Sequence, residues 1–284
     1  MIAYPNVKVN LGLNVLRRRP DGYHDIETLF VPYFGMTDVL EICPSEAFSI
    51  EIHSSKPGIP DWDPMSDLCA KAWRLMHVRY GVAPVSISLE KRNPVGGGLG
   101  GGSSDGAFTL KMLNEMFSLG LSEQELASVA SELGSDCPFF VYNRPMLGEG
   151  RGEILSEFDL PDIDFGQTVP SCEADALHGS STVGSRSFTY RLGVIALDSC
   201  LKVSTAQAYR SITPAVPPVG LRDVLSLDIT QWRSFLKNDF EPVISTAHPL
   251  VRETIEGCYA GGCVYAAMSG SGPSVFYIRR NFDR

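Results

Sequence analysis

Between Asn93 and Phe108 the chain reads NPVGGGLGGGSSDGAF, with six glycines in the seven positions from Gly96 to Gly102. Glycine gives up more backbone freedom on folding than any other residue. A run this dense is kept where the chain must turn through positive φ or let something approach its backbone. Before the run, Val85, Ile87 and Leu89 alternate with Ser86, Ser88 and Glu90, the period of a strand. After it, Ala107, Leu110, Leu113 and Phe117 recur at helical spacing. A strand, a loop free of side chains and a helix opening near Ser103 aim backbone amides and the positive helix end at one small volume, which is how phosphate is held. The hydroxyls of Ser103 and Ser104 are candidates to donate to that phosphate or to meet its magnesium.

Other readings of the loop are available. Gly96, Gly98 and Gly101 satisfy GxGxxG, and Glu115 stands where a later acid would, but a dinucleotide fingerprint needs a parallel βαβ unit and the strands before this loop look antiparallel. A Walker A loop closes in Gly-Lys-Ser/Thr. This one closes in Gly-Ser-Ser, and no lysine lies between Lys91 and Lys111. The plainest reading is a tight turn with Ser103 as a helix N-cap, which leaves other helix amides free for an anion.

Elsewhere the pattern is that of mixed strands and helices. Val7, Val9, Leu11 and Leu13 alternate with Lys8, Asn10, Gly12 and Asn14, so Lys8 and Asn10 share one face of a strand. Pro20-Asp21-Gly22 is a turn, and TDVLEI followed by FSIEI predicts further antiparallel strands. A helix is predicted over about 67–78, and SEQE at 122–125 is a capping box opening another that runs through Leu133 and stops at Gly134. From 158 to 187 the sequence loses any period and reads as a linker or surface insertion between domains at 1–157 and 188–284.

Composition narrows the function. A formal charge of -9 speaks against a general nucleic-acid binder, since phosphate backbones are bound by cationic surfaces. Seven cysteines, an odd number without a CxxC pair, suggest neither a disulfide framework nor a zinc site, and fit a reducing, cytoplasmic setting. The five histidines form no HxH or HxxxH cluster, so no structural metal is implied. The uncharged stretch 257–278 is broken by glycines and Pro273, unlike a membrane span.

Bound phosphate raises the question of chemistry. Phosphoryl transfer needs a carboxylate to take the acceptor's proton and a cation to steady charge. Asp136, at a helix end before an apolar run, is a candidate base or an ordinary turn aspartate. Lys8 is its candidate partner or a solvent-face lysine. Tyr23 and His24 could grip a planar ligand or simply begin a strand.

Together YPNVKVNLGLNV, RRPDGYHDIETLF, NPVGGGLGGGSSDGA, ELGSDCPFF and SGSGPSVF resemble the GHMP kinase superfamily, and more closely its 4-diphosphocytidyl-2-C-methyl-D-erythritol kinase branch. The resemblance implies an α+β, two-domain fold, with a ribosomal-protein-like N-terminal α/β domain and a ferredoxin-like C-terminal domain. It implies a kinase using ATP and Mg2+ on a small cytidine-diphosphate methylerythritol substrate, with no nucleic-acid or membrane partner. By matching positions, Lys8 and Asp136 resemble the catalytic pair. Pro94, Gly96, Gly97, Gly98, Gly100, Gly101, Gly102, Ser103 and Ser104 resemble the phosphate loop. Asn10, Tyr23, His24, Thr205 and Tyr209 resemble substrate contacts, with Tyr209 closing over cytosine, and Gly270, Ser271 and Gly272 resemble the third glycine motif. Three departures stand out: Asp67 replaces an adenine-side asparagine, the stretch around 163–188 is long, and the C-terminal domain is expected to be shortened after Ile278. Open alternatives are a GHMP kinase for homoserine or mevalonate, a nucleotide-binding homologue without activity, and, more distantly, a nicotinamide oxidoreductase.

Overall fold

The computed structural model describes residues 1–54, 62–160, 162–166, 188–197 and 203–281. Most of the segment predicted as linker or insertion, 167–187, therefore lies outside the described residues. Its start is not free linker, because β9 (Ile163–Asp164) pairs in parallel with β10 (Tyr190–Ile195).

Three four-stranded sheets are present among the described residues. The first runs β1 (Ile2–Ala3), β4 (Val39–Pro44), β6 (Val85–Lys91), β5 (Ser49–Ser54). Here one expectation fails: β5 is not the antiparallel neighbour of β4 but lies parallel to β6, across the helix α1 (Leu68–Tyr80). A long crossover, usually through a helix, is what parallel neighbours require. The βαβ unit thus ends at β6 rather than starting there, because the glycine loop leads into three successive helices, α2 (Gly101–Met116), α3 (Glu123–Ser131) and α4 (Cys137–Tyr142). The predicted capping box is present at α3, with Ser122 accepting from the Glu125 amide and Glu125 accepting from the Ser122 amide.

The second sheet holds two long strands, β2 (Asn6–Arg18) and β3 (His24–Thr37), followed by β7 (Met146–Glu149) and β8 (Ile154–Glu157), all antiparallel. The third holds β11 (Tyr265–Met268), β12 (Val275–Arg280), β10 and β9, with the helices Glu241–Ala247 and Pro249–Ala260 contributing to its core. Period-two alternation explains how the layers stack. Leu29 and Val31 on β3 join one core with Leu192, Tyr265 and Phe276 of the third sheet. Phe30 between them joins another, with Phe108, Phe139 and Phe140 of the helices.

Both faces of β2 are covered as a result, and Lys8 is only 3% exposed. The solvent-face reading of that lysine is excluded. β2 is also interrupted at Gly12, where φ is +72° and the pairing register shifts. A Cβ there would lie 2.6 Å from Leu221 and Leu236, so the second half of the chain packs directly on this backbone.

Candidate active site

A buried ammonium needs partners, and Lys8 has several. Its Nζ donates to Asn10 Oδ1 at 2.5 Å and to the Gly98 carbonyl at 3.3 Å, and it lies 3.3 Å from Asp136 Oδ2. It also sits 5.2 Å from the centre of the Phe30 ring. The candidate base and the glycine loop therefore share one cation. Asn10 is itself fixed, donating through Nδ2 to Thr28 Oγ1 at 3.0 Å, while Thr28 donates to the Gly12 carbonyl. The side chain of Asn10 thus acts first on Lys8, a positioning role that spacing alone did not reveal.

Asp136 occupies the N-cap position of α4, a helix of six residues with Pro138 in its first turn and Phe139 and Phe140 fully buried. The two rings anchor the helix, each burying apolar surface that stabilises by about 2–3 kcal/mol, and the carboxylate projects from its fixed end. That side chain is 34% exposed, open enough to meet a substrate. The other end of α4 is tied back to β2 through Asn6 and Asn143, whose amides exchange hydrogen bonds of 3.1 and 2.8 Å. The beginning of β2 therefore aligns both ends of α4.

The glycine loop has two kinds of neighbour. At Gly98 (φ +75°) a Cβ would fall 2.3 Å from the Ser269 carbonyl, and at Gly100 it would meet the Phe140 ring at 3.0 Å and Lys8 Cε at 3.1 Å. These positions are glycine because protein packs on them. At Gly96 and Gly102 a Cβ would meet nothing within 4 Å. There the backbone faces open space. The helix begins at Gly101 with Gly100 as N-cap, so Ser103 is not the cap. Ser103 lines the cavity, whereas Ser104 is fully buried with its hydroxyl unpartnered and its amide bonded to the Gly100 carbonyl. Ser104 therefore offers the cavity neither hydroxyl nor amide as the loop stands.

The loop separates two cavities. A cleft of about 980 Å³ is lined by Lys8, Asn10, Tyr23, His24, Asp136, Thr205, Tyr209, Gly270 and Ser271 on one side. A smaller one, about 290 Å³, is lined by Trp62, Asp67, Leu68, Lys91, Pro94 and Ser103 on the other. Gly96, Gly98 and Gly100 line both. Asp67 caps α1 by accepting from the Cys69 amide at 2.8 Å. Below the smaller cavity Lys91 is clamped between Asp38 and Asp105, the latter at 2.5 Å. Burial pushes the Asp105 carboxyl up to about 8, although Lys91 pulls it down.

The third glycine motif holds the loop in place. Ser269 Oγ donates to the Gly98 carbonyl at 3.1 Å and accepts from the Asn10 amide at 3.3 Å. Asn238 Nδ2 donates to the carbonyls of Met268 and Gly270, both at 2.8 Å. Thr205 Oγ1 lies 2.9 Å from Ser271 Oγ. Asn238 and Ser269 were not singled out from sequence, as an isolated asparagine or serine carries no spacing signal.

At the far end of the cleft, His24 and Tyr209 stack with centroids 4.7 Å apart and planes at 20°. The two rings already touch, which leaves no space for a planar ligand between them. Burial, with a contribution from Asp136, pushes the Tyr209 hydroxyl up to about 12. Tyr23 is 57% exposed, with the Arg151 guanidinium 5.0 Å above its ring.

Comparison with known proteins identifies the family. The profile of the GHMP kinases N terminal domain matches residues 67–144, and that of the GHMP kinases C terminal domain matches 221–281. The 4-diphosphocytidyl-2-C-methyl-D-erythritol kinase of Parabacteroides distasonis is 39% identical over 277 residues, covering 97% of this chain and 90% of that one. The crystal structure of a 4-(cytidine 5'-diphospho)-2C-methyl-D-erythritol kinase superposes with a TM-score of 0.73 at 29% identity, covering 98% of this chain and 89% of the other. Homoserine kinase from Cytophaga hutchinsonii shares the fold at 17% identity and a TM-score of 0.59, covering 96% and 85%. With the two-domain α+β architecture and both domain profiles in place, the chain belongs to the GHMP kinases, in the branch of the 4-diphosphocytidyl-2-C-methyl-D-erythritol kinases.

Proposed function

We propose that the chain transfers the γ-phosphoryl group of ATP to the tertiary hydroxyl of 4-(cytidine 5'-diphospho)-2-C-methyl-D-erythritol, a step in non-mevalonate isoprenoid precursor synthesis. The observation that carries this reading is the Lys8–Asp136 pair, 3.3 Å apart, in a cleft whose wall is the glycine loop. ATP lies with its base in the smaller cavity beside Trp62 and Leu68. Its phosphates pass over the open backbone at Gly102 and the start of α2, where unpaired amides and the helix dipole favour an anion. The acceptor enters the larger cleft with its nucleoside toward Tyr23, His24 and Tyr209.

Asp136 accepts the hydroxyl proton as the acceptor oxygen bonds to phosphorus and the bridging oxygen leaves with ADP. Lys8 keeps that carboxylate in place and faces the charge that builds on the transferred group. ATP enters as its magnesium complex. Ser103 Oγ, at the wall of the smaller cavity, is a hard oxygen donor that would suit such an ion, which takes most of its ligands from phosphate and water. ADP release measured with the cytidylylated acceptor, homoserine and mevalonate in parallel tests the reading. Turnover restricted to either of the last two would overturn it.

A further inference from the structure

The chain carries a net charge of -9, yet among the described residues the large cleft is lined by Lys8, Arg18, Arg151 and Arg210 against a single carboxylate, Asp136. Lys8 and Asp136 balance each other. Three arginines remain at the wall of a cleft in an acidic protein.

Their placement follows from the backbone. In the run Arg17-Arg18-Arg19, alternation along the end of β2 sends the first and third side chains to one side. Both are tied to Asp25, Arg19 through Nη1 at 3.0 Å. Arg18 points the other way, into the cleft, and has no carboxylate partner among the described residues. It is the register partner of His24 across β2 and β3, and its charge, after burial, helps hold the His24 imidazole below its ordinary value. Arg210 closes α5 (Thr205–Arg210) directly after Tyr209, and it too lacks a carboxylate partner among the described residues. The two arginines therefore adjoin the two stacked rings, one beside each. Arg151 lies over the face of Tyr23 and is held loosely by Glu153 at 3.3 Å. Three guanidinium groups around a set of aromatic rings suit a ligand with a planar base joined to several negative charges.

We infer that Arg18, Arg151 and Arg210 are the specificity element that selects a diphosphate-bearing acceptor over a neutral polyol. This rests on the kinase reading above and adds the residues that read the acceptor's charge. They act on capture, where exposed cations at a cleft raise the local concentration of an anion and lose that effect as salt is added. ATP, bound across the loop, depends on them little.

The test is steady-state kinetics of Arg18→Gln, Arg151→Gln, Arg210→Gln and the triple variant at several ionic strengths. Each single change is expected to raise KM for the cytidine-diphosphate acceptor about five- to tenfold, and the triple about a hundredfold, with kcat and the KM for ATP within about twofold. The wild-type rise of KM with salt should flatten in the triple variant, and Arg18→Lys should restore most of the loss. An unchanged acceptor KM, an unchanged salt slope, or an equal rise in the KM for ATP overturns the assignment while leaving the kinase reading intact. If wild type does not turn over this acceptor, the kinase reading fails, and calorimetry with CDP and cytidine decides the arginines separately. Tighter binding of CDP that vanishes in the triple variant supports them, and equal binding of the two ligands overturns them. The single variants carry the same test if the triple does not fold.

Discussion

His24 and Tyr209 stack at 4.7 Å although one begins β3 in the second sheet and the other belongs to α5. Tyr209 also meets Phe240 edge-on at 4.8 Å, so its ring is held from two sides. If the ring takes part in stacking on the cytosine, Tyr209→Ala should raise the acceptor KM about tenfold or more, since base–aromatic stacking contributes about 1–3 kcal/mol. Tyr209→Phe keeps the ring and should stay within about threefold. Equal KM values for the two variants would remove the ring from recognition.

Asp136→Asn preserves shape and removes the proton acceptor. We expect kcat to fall by about 10²–10⁴, the range for a positioned general base, with nucleotide affinity preserved. The Lys8 side chain is only 4% exposed, so neutralising Asp136 leaves a buried ammonium held by the neutral oxygens of Asn10 and Gly98, and stability should fall. A large fall in kcat beside a modest fall in melting temperature is the expected pattern. Undiminished turnover would remove Asp136 as base.

Two glycines of one loop should respond in opposite ways. Gly98→Ala drives a methyl to 2.3 Å from the Ser269 carbonyl at a positive φ, and should lower stability by about 1–3 kcal/mol. Gly102→Ala has open space and a helical position, so the melting temperature should hold or rise slightly. Its methyl points into the space assigned to phosphate, so the KM for ATP should rise. Thermal melts and ATP kinetics on both variants check this, and an unchanged ATP KM in Gly102→Ala would move the phosphates elsewhere.

Asp105 gives a pH signature. Its carboxyl ionises at about 8 in the folded chain and near 3.8 without the fold. Between these limits the folded state keeps a proton that the unfolded state has released, so this group's contribution to stability falls as pH rises. Asp105→Asn removes that titration and leaves Lys91 paired with Asp38. The variant's melting temperature should gain on wild type from about pH 5 to pH 8. A difference constant across that range would show that Asp105 is ionised throughout.

Local periodicity carried much of this into view before any coordinates. Strand alternation put Lys8 and Asn10 on one face, and the strand–glycine–helix order marked the loop. The parallel pairing of β5 with β6 escaped because two short strands in succession look like a hairpin until the intervening helix is given its place as a crossover. Ser104 appeared as a phosphate ligand because spacing does not say which way a helical side chain points. Arg18 is hidden between two identical neighbours, and only the position of Asp25 separates it from Arg17 and Arg19.

The sheet of β2, β3, β7 and β8 is the shared middle layer of the molecule, with Phe30 facing the helices and Leu29 and Val31 facing the third sheet. Severing the chain between its two halves would strip one side of that layer bare and leave Val7, Val9 and Leu11 in water. Neither half is then expected to survive as an independent fragment, and calorimetry of the intact chain should record one cooperative melt where a pair of autonomous modules would give two.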